Sequence, residues 1–127
     1  MNAQQPLFEI DQQGRILILS PSGNMSTLEL TSLDNAVHDV KQQLQSTGSR
    51  HVILDFVDTD YYGSTALGLF IKLWKYVRSV EGDMVFCNVS EHEQEILKLT
   101  HLDNLWTICP TLEDALQHLQ TRLPDGI

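Results

Sequence analysis

His51-Val52-Ile53-Leu54-Asp55-Phe56-Val57, followed by Asp58-Thr59-Asp60-Tyr61-Tyr62 and then by Gly63-Ser64-Thr65-Ala66-Leu67-Gly68, is the stretch on which the fold turns. Its opening run is almost continuously apolar, which is how a strand buried on both faces of a parallel sheet reads. Its closing run is a cluster of small residues at the head of a helical segment over residues 65–80, closed by Glu81-Gly82-Asp83. A buried strand followed by a helix of this length is the first part of a crossover to a parallel neighbour, and such crossovers are right-handed in nearly all cases.

The alternation continues outward in both directions. Upstream, residues 7–10 and 15–19 are short Leu/Ile-rich runs joined by Asp11-Gln12-Gln13-Gly14, which predicts a hairpin. The turn formers Ser20-Pro21-Ser22-Gly23-Asn24 then lead to Leu30, Leu33, Val37, Val40 and Leu44, an amphipathic helix stopping near Thr47-Gly48. Downstream, residues 84–89 form another buried strand, and Ser90 with Glu93 has the form of a capping box ahead of Ile96, Leu97 and Leu99. Residues 106–109 make a last strand, and Thr111 caps a helix carrying Leu112, Ala115, Leu116, Leu119 and Leu123. The predicted class is α/β, a mixed and mostly parallel sheet with an N-terminal antiparallel hairpin and about four helices. The chain of 127 residues fits a single domain over residues 1–127, with its core at about 7–123. In such sheets function sits where strand ends feed helix N-termini, so the loops at 20–25, 58–64, 89–91 and 109–111 are the places to look.

Charge narrows the function classes. Eight Lys and Arg face 17 Asp and Glu, a formal net charge of −9 that repels phosphate backbones and anionic lipid, so neither nucleic acid nor a membrane surface is expected as partner. Apolar runs fall far short of the roughly 18 residues of a membrane span, so no membrane insertion is expected. Residues 1–6 lack the basic and apolar regions of a secretory signal, which predicts a cytoplasmic protein. Cys87 and Cys109 lie in apolar runs outside any Cys-x-x-Cys pattern and read as reduced core thiols, with a structural disulfide as the alternative. The histidines (38, 51, 92, 101 and 118) form no ligand pair, and neither metal nor cofactor is expected.

At the head of the second helix, Gly63 frees the backbone and Ser64 or Thr65 can accept from the orphan N–H groups of the first turn. The same position suits a bound or covalent phosphate, because free donors and the positive end of the helix dipole meet there. In the helix itself, Leu73, Ala66, Val77 and Phe70 form the centre of a wide apolar arc. Leu67, Trp74 and Ile71 on one flank, and Leu69 and Tyr76 on the other, are either covered, with the helix pressed between sheet and neighbouring helices, or reach the surface as a docking edge with an aromatic anchor. Lys72, Lys75 and Arg78 add a basic stripe, either a solvated face or a surface for an acidic partner.

The succession of hairpin, helix, buried strand, small-residue turn, helix and strand resembles, over nearly the whole chain, the STAS domain of bacterial anti-sigma factor antagonists. That family carries Asp-Ser-(Ser/Thr)-Gly-Leu-Gly after its third strand, where this chain reads Gly63-Ser64-Thr65-Ala66-Leu67-Gly68. The run Val80-Glu81-Gly82-Asp83-Met84-Val85-Phe86-Cys87-Asn88-Val89 resembles the family's glycine turn and next strand, and residues 99–105 and 111–119 its last helices. The resemblance implies that Ser64 is a phosphoacceptor, with Thr65 as second candidate. It also implies a partner surface that includes Gly23, Asn24, Asp60, Tyr62, Gly63, Ser64, Thr65, Leu67, Gly68 and Ile71. The implied partner is an anti-sigma factor, a serine kinase of the histidine-kinase-like ATPase type, bound when the serine is unmodified and released on phosphorylation; a serine phosphatase resets the state. The domain would thus regulate sigma-dependent transcription without being an enzyme. Gly63 and Ala66 depart from the family's Asp and Gly, and Gly63 favours an alternative: a constitutive interaction module, as scaffold or transporter-associated subunit, with no switch.

Two other classes fail on their residues. A two-component receiver domain needs a carboxylate pair after its first strand and a lysine after its last, where this chain has Ser20-Pro21-Ser22 and Pro110-Thr111. A nucleophile elbow needs glycines two residues either side of the serine, where Tyr62 and Ala66 stand.

Overall fold

Successive Ile, Leu and Val residues leave a strand no polar face, so it must be covered on both sides. The computed structural model describes residues 8–21, 30–57 and 64–121, and their side chains except at 30–33 and 64–65. It meets this demand with a five-stranded sheet whose strands lie side by side in chain order: β1 (Phe8–Gln13), β2 (Ile16–Pro21), β3 (His51–Asp55), β4 (Met84–Cys87) and β5 (Thr107–Cys109). The β1–β2 pair is antiparallel and every later pair is parallel. The helices are α1 (Leu30–Thr47), α2 (Ser64–Ser79), α3 (Glu91–Leu99) and α4 (Leu112–Gln120), with a 3₁₀ turn at Leu102–Asn104.

Strand alternation sorts the core into two layers. Leu17, Leu19, Val52, Leu54, Met84 and Phe86 face Val40, Phe70, Leu73, Val77 and Leu97 of α1, α2 and α3. Their alternates Ile16, Ile18, Ile53, Val85 and Cys87 face Ala115 and Leu119 of α4. Phe86 anchors an aromatic group, crossing Phe70 edge-on at 5.6 Å and stacking on Trp106 at 4.5 Å between centroids. Trp106 therefore belongs to the core, and β5 starts one residue later than the sequence suggests.

Element boundaries differ from expectation where turns take over. The β1–β2 ladder runs through Gln13↔Ile16, leaving Gly14 and Arg15 as a two-residue turn, and Gly14 supplies the positive φ of 58° that such turns demand. β4 ends at Cys87 because Asn88 adopts a left-handed conformation at φ 56°. The sheet borders are polar or short: β1 exposes every residue after Phe8, including Glu9 and Asp11, and β5 has three residues. Leu69 is buried, since α1 packs along that flank of α2, so this part of the wide apolar arc is covered by a neighbouring helix. The caps are as expected: Ser90 Oγ accepts from the Glu93 N–H at 3.2 Å and Thr111 Oγ1 from the Asp114 N–H at 3.1 Å. Leu123 lies outside the described residues.

One close approach fixes how α2 returns to the sheet. The Gly82 N–H donates to the Val77 carbonyl at 2.9 Å, and Gly82 lies so near the strand entry that a Cβ there would overlap the Arg50 carbonyl oxygen and meet Val77 Cγ1 at 3.0 Å. Backbone cannot rotate out of the way as a side chain can. Gly82→Ala is expected to cost about 3 kcal/mol, the upper end for overpacking, read as a lower urea midpoint at unchanged m-value.

Candidate functional site

Because β2 to β5 are parallel, their carboxyl ends form one rim, and α2, α3 and α4 all start from it. α2 opens at Ser64, and no acidic residue stands in its first turn, so the positive end of its dipole has no counter-charge of its own there. By contrast, α3 has Glu91 and Glu93 and α4 has Glu113 and Asp114 in the first turn.

The anticipated site residues distribute as follows. Ser64 and Thr65 are the first two residues of α2, so Ser64 lies inside the helix as its opening residue. Leu67 and Ile71, one turn apart, are half-buried against the core edge, and Trp74 continues the same flank one turn on. Gly68 lies exposed beside them with open space around it, so a side chain would fit there. The structure thus brings Ser64, Thr65, Leu67, Gly68 and Ile71 onto the first two turns of one helix. Gly23, Asn24, Asp60, Tyr62 and Gly63 lie outside the described residues.

Beneath this rim lies a polar clasp that apolar periodicity does not disclose. Asp55, at the end of β3, is only 5% exposed. Its Oδ1 accepts from the Val57 N–H at 3.1 Å and from Asn88 Nδ2 at 2.8 Å. The Phe56 N–H donates to the Cys87 carbonyl at 3.1 Å, prolonging the β3–β4 ladder by one bond. Asp55 and Cys87 are register partners, and the thiol bonds the carboxylate. The clasp holds the exits of β3 and β4 together at the point where the chain leaves for α2. Asn88 alone announces it, as a residue prone to left-handed backbone after an apolar run.

The thiols respond to this setting. Burial pushes the Cys87 pKa well up, and the Asp55 charge, the bond to its carboxylate and Cys109 add to the shift. Cys109 is raised by burial and by Asp114. Both cysteines are free, as the sequence suggested. Among the described residues no group of three His, Cys, Asp or Glu side chains could hold a metal ion, and no helix is long and apolar enough to cross a membrane.

Two outcomes follow from the clasp. Asp55→Ala leaves the Asn88 amide and the Val57 N–H without their acceptor and is expected to cost about 1–3 kcal/mol in chemical denaturation, with Asp55→Asn closer to wild type. Because the folded Cys87 thiol stays protonated at pH values where an unfolded one ionises, stability falls as pH climbs past about 8.5. Urea midpoints at pH 7.5 and pH 9.5 measure the loss, and Cys87→Ala removes part of it.

Known proteins share this architecture. The family model described as the STAS domain matches residues 8–115. The chain is 29% identical over 77 residues to BtrV of Bordetella bronchiseptica, a protein bearing the name anti-sigma factor antagonist, covering 61% of this chain and 66% of BtrV, just under two thirds. It is 25% identical over 107 residues to the similarly named TM1081 homolog of Thermotoga neapolitana, covering 84% and 92% of the two chains. Among solved structures, the NMR structure of TM1081 superposes with a TM-score of 0.79 at 19% identity, over 94% of each chain. SpoIIAA, an anti-sigma factor antagonist, superposes in its unphosphorylated form with a TM-score of 0.67 at 14% identity, over 94% of this chain and 99% of SpoIIAA. Its phosphorylated form gives 0.66 at 13% identity, over 87% and 97%. With the five-stranded sheet, its antiparallel opening hairpin and a family match from β1 into α4, the chain belongs to the STAS domain family.

Proposed function

We propose that this chain is an anti-sigma factor antagonist that binds a serine-kinase-type anti-sigma factor through the head of α2 and is released when Ser64 is phosphorylated. The observation that carries the reading is the start of α2 at Ser64: a hydroxyl residue in the first turn, no carboxylate beside it in that turn, and a half-buried apolar flank of Leu67 and Ile71 directly after it. A partner that covers this flank comes within reach of the serine. SpoIIAA, whose fold this chain shares, is known in a phosphorylated and an unphosphorylated form.

A phosphate adds a charge of about −1.5 to −2 at pH 7. At the helix head it is tolerated by the dipole, so the fold survives. In a covered interface the same charge must be desolvated without a matching cation, so the complex weakens while the domain stays intact. The domain performs no chemistry in this scheme; the kinase partner supplies the phosphoryl group and a serine phosphatase removes it. The action is cytoplasmic, on sigma-dependent transcription.

A second reading, a constitutive module serving as scaffold or transporter-associated subunit, is favoured by Gly63, which replaces the carboxylate beside the acceptor serine in the family pattern. Mass analysis of the peptide spanning Ser64, from protein purified from its source, separates the two. The switch expects one phosphate on Ser64, a partner retained by Ser64→Ala, and binding to Ser64→Asp weakened by about tenfold or more, roughly 1.4 kcal/mol. An unmodified peptide with equal capture by both variants establishes the constitutive module.

A further inference from the structure

We propose that the groove between α1 and α2 is a docking site for an acidic peptide segment of a protein partner. It lies along the second half of α2, about 12 Å from Ser64 at 1.5 Å per residue, and the proposal rests on its shape and charge and not on modification of that serine.

The groove encloses about 530 Å³ between Val37, His38 and Lys41 of α1 and Lys72, Lys75 and Tyr76 of α2, with Asp34 at one end. Its floor is built. Tyr76 is half-buried, its hydroxyl oxygen accepts from Gln45 Nε2 at 3.2 Å, and Lys41 Nζ stands 5.1 Å from its ring centroid. Lys41 is thereby held over the groove. Lys72 pairs with Asp34 at 3.5 Å, but both side chains are more than half exposed, so the pair is weak and open to exchange. Among the described residues, neither Lys41 nor Lys75 has a carboxylate within ion-pair distance.

Charge placement makes this unusual. The chain has 17 acidic and 8 basic residues, yet Lys41, Lys72 and Lys75 converge on one groove from helices distant in sequence. A carboxylate is repelled by the molecule at long range and attracted here at short range, which rewards a ligand able to engage several ammonium groups together.

Geometry selects the occupant. From Asp34 to Lys41 the groove follows two turns of α1, about 10 Å, the span of roughly three extended residues. Its ammonium groups are spread along that length. They come from the flanks of helices whose backbone N–H groups are already bonded, and among the described residues that line the groove there is no guanidinium fork or loop amide to cradle a compact phosphate. Val37 and the face of Tyr76 offer an apolar strip between the charges. A segment of alternating acidic and apolar residues matches this pattern.

The test titrates hexaglutamate into the ¹⁵N-labelled full chain at low ionic strength and follows backbone amide shifts. The proposal expects shifts gathered at residues 37–41 and 72–76. Lys41→Glu with Lys75→Glu should weaken binding about tenfold, the scale of reversing two partly exposed pairs. Arg15→Glu with Lys98→Glu changes net charge equally but lies outside the groove, and should leave affinity within about twofold. If charge reversal disturbs packing, Lys75→Gln removes the charge and introduces no negative one, and is expected to weaken binding in the same direction. Equal weakening by both double variants, shifts scattered over the surface, or groove shifts with inorganic triphosphate but not with hexaglutamate would overturn the proposal.

Discussion

Every residue of β3 is buried, and this strand carries a side chain with polar demands at each end. Burying such a group is costly unless it is hydrogen-bonded, so His51 and Asp55 dictate what must surround them. At the entry, His51 Nδ1 accepts from the Asp83 N–H at 3.0 Å, and the Val52 N–H donates to the Asp83 carbonyl at 3.0 Å. At the exit, Asp55 gathers Val57 and Asn88. Both ends of β3 are thus tied to the two turns that bracket β4. The strand that separates the two apolar layers also positions its neighbour and the departure toward α2.

This arrangement divides labour between the two ends of the sheet. At the amino end the chain is closely confined, since Gly82 rests against the Arg50 backbone and leaves no room for a side chain. At the carboxyl rim the backbone is held from beneath by a carboxylate, and three helices start there with different electrostatic endings. The heads of α3 and α4 are capped by hydroxyl side chains and flanked by acids, whereas the first turn of α2 brings no acid of its own. First-turn charge therefore sets the start of α2 apart from the other two.

Periodicity made the strands and helices legible, because alternate burial and helical stripes leave their trace in one dimension. The interior of β3 and β4, the caps at Ser90 and Thr111 and the central face of α2 all read directly. What did not read were features created by contact between distant segments. Whether the Leu69 flank is covered or exposed is decided only when α1 is laid along it, and Trp106 looked like part of a strand until Phe86 claimed its ring. The Asp55–Asn88 bond joins residues 33 positions apart, and Gln45 reaches Tyr76 across 31. The basic character of α2 was visible as a stripe, but its partner Lys41 came from another helix. Ser64 and the residues that follow it on α2 were found through their place between a buried strand and a helix, and that placement is structural. The acidic residues before them belong to a stretch the structure does not describe.

The sheet's two borders bear on how this domain meets others. β1 presents Glu9 and Asp11 along an exposed border, and β5 offers only three residues on the other side. A second strand approaching β1 from another copy would bring like charges together, and one approaching β5 would find too short a ladder to hold it. Copies crowded together or strung in tandem are thereby kept from continuing one another's sheets. Association is left to helix faces and loops, where side chains rather than backbone decide the partner.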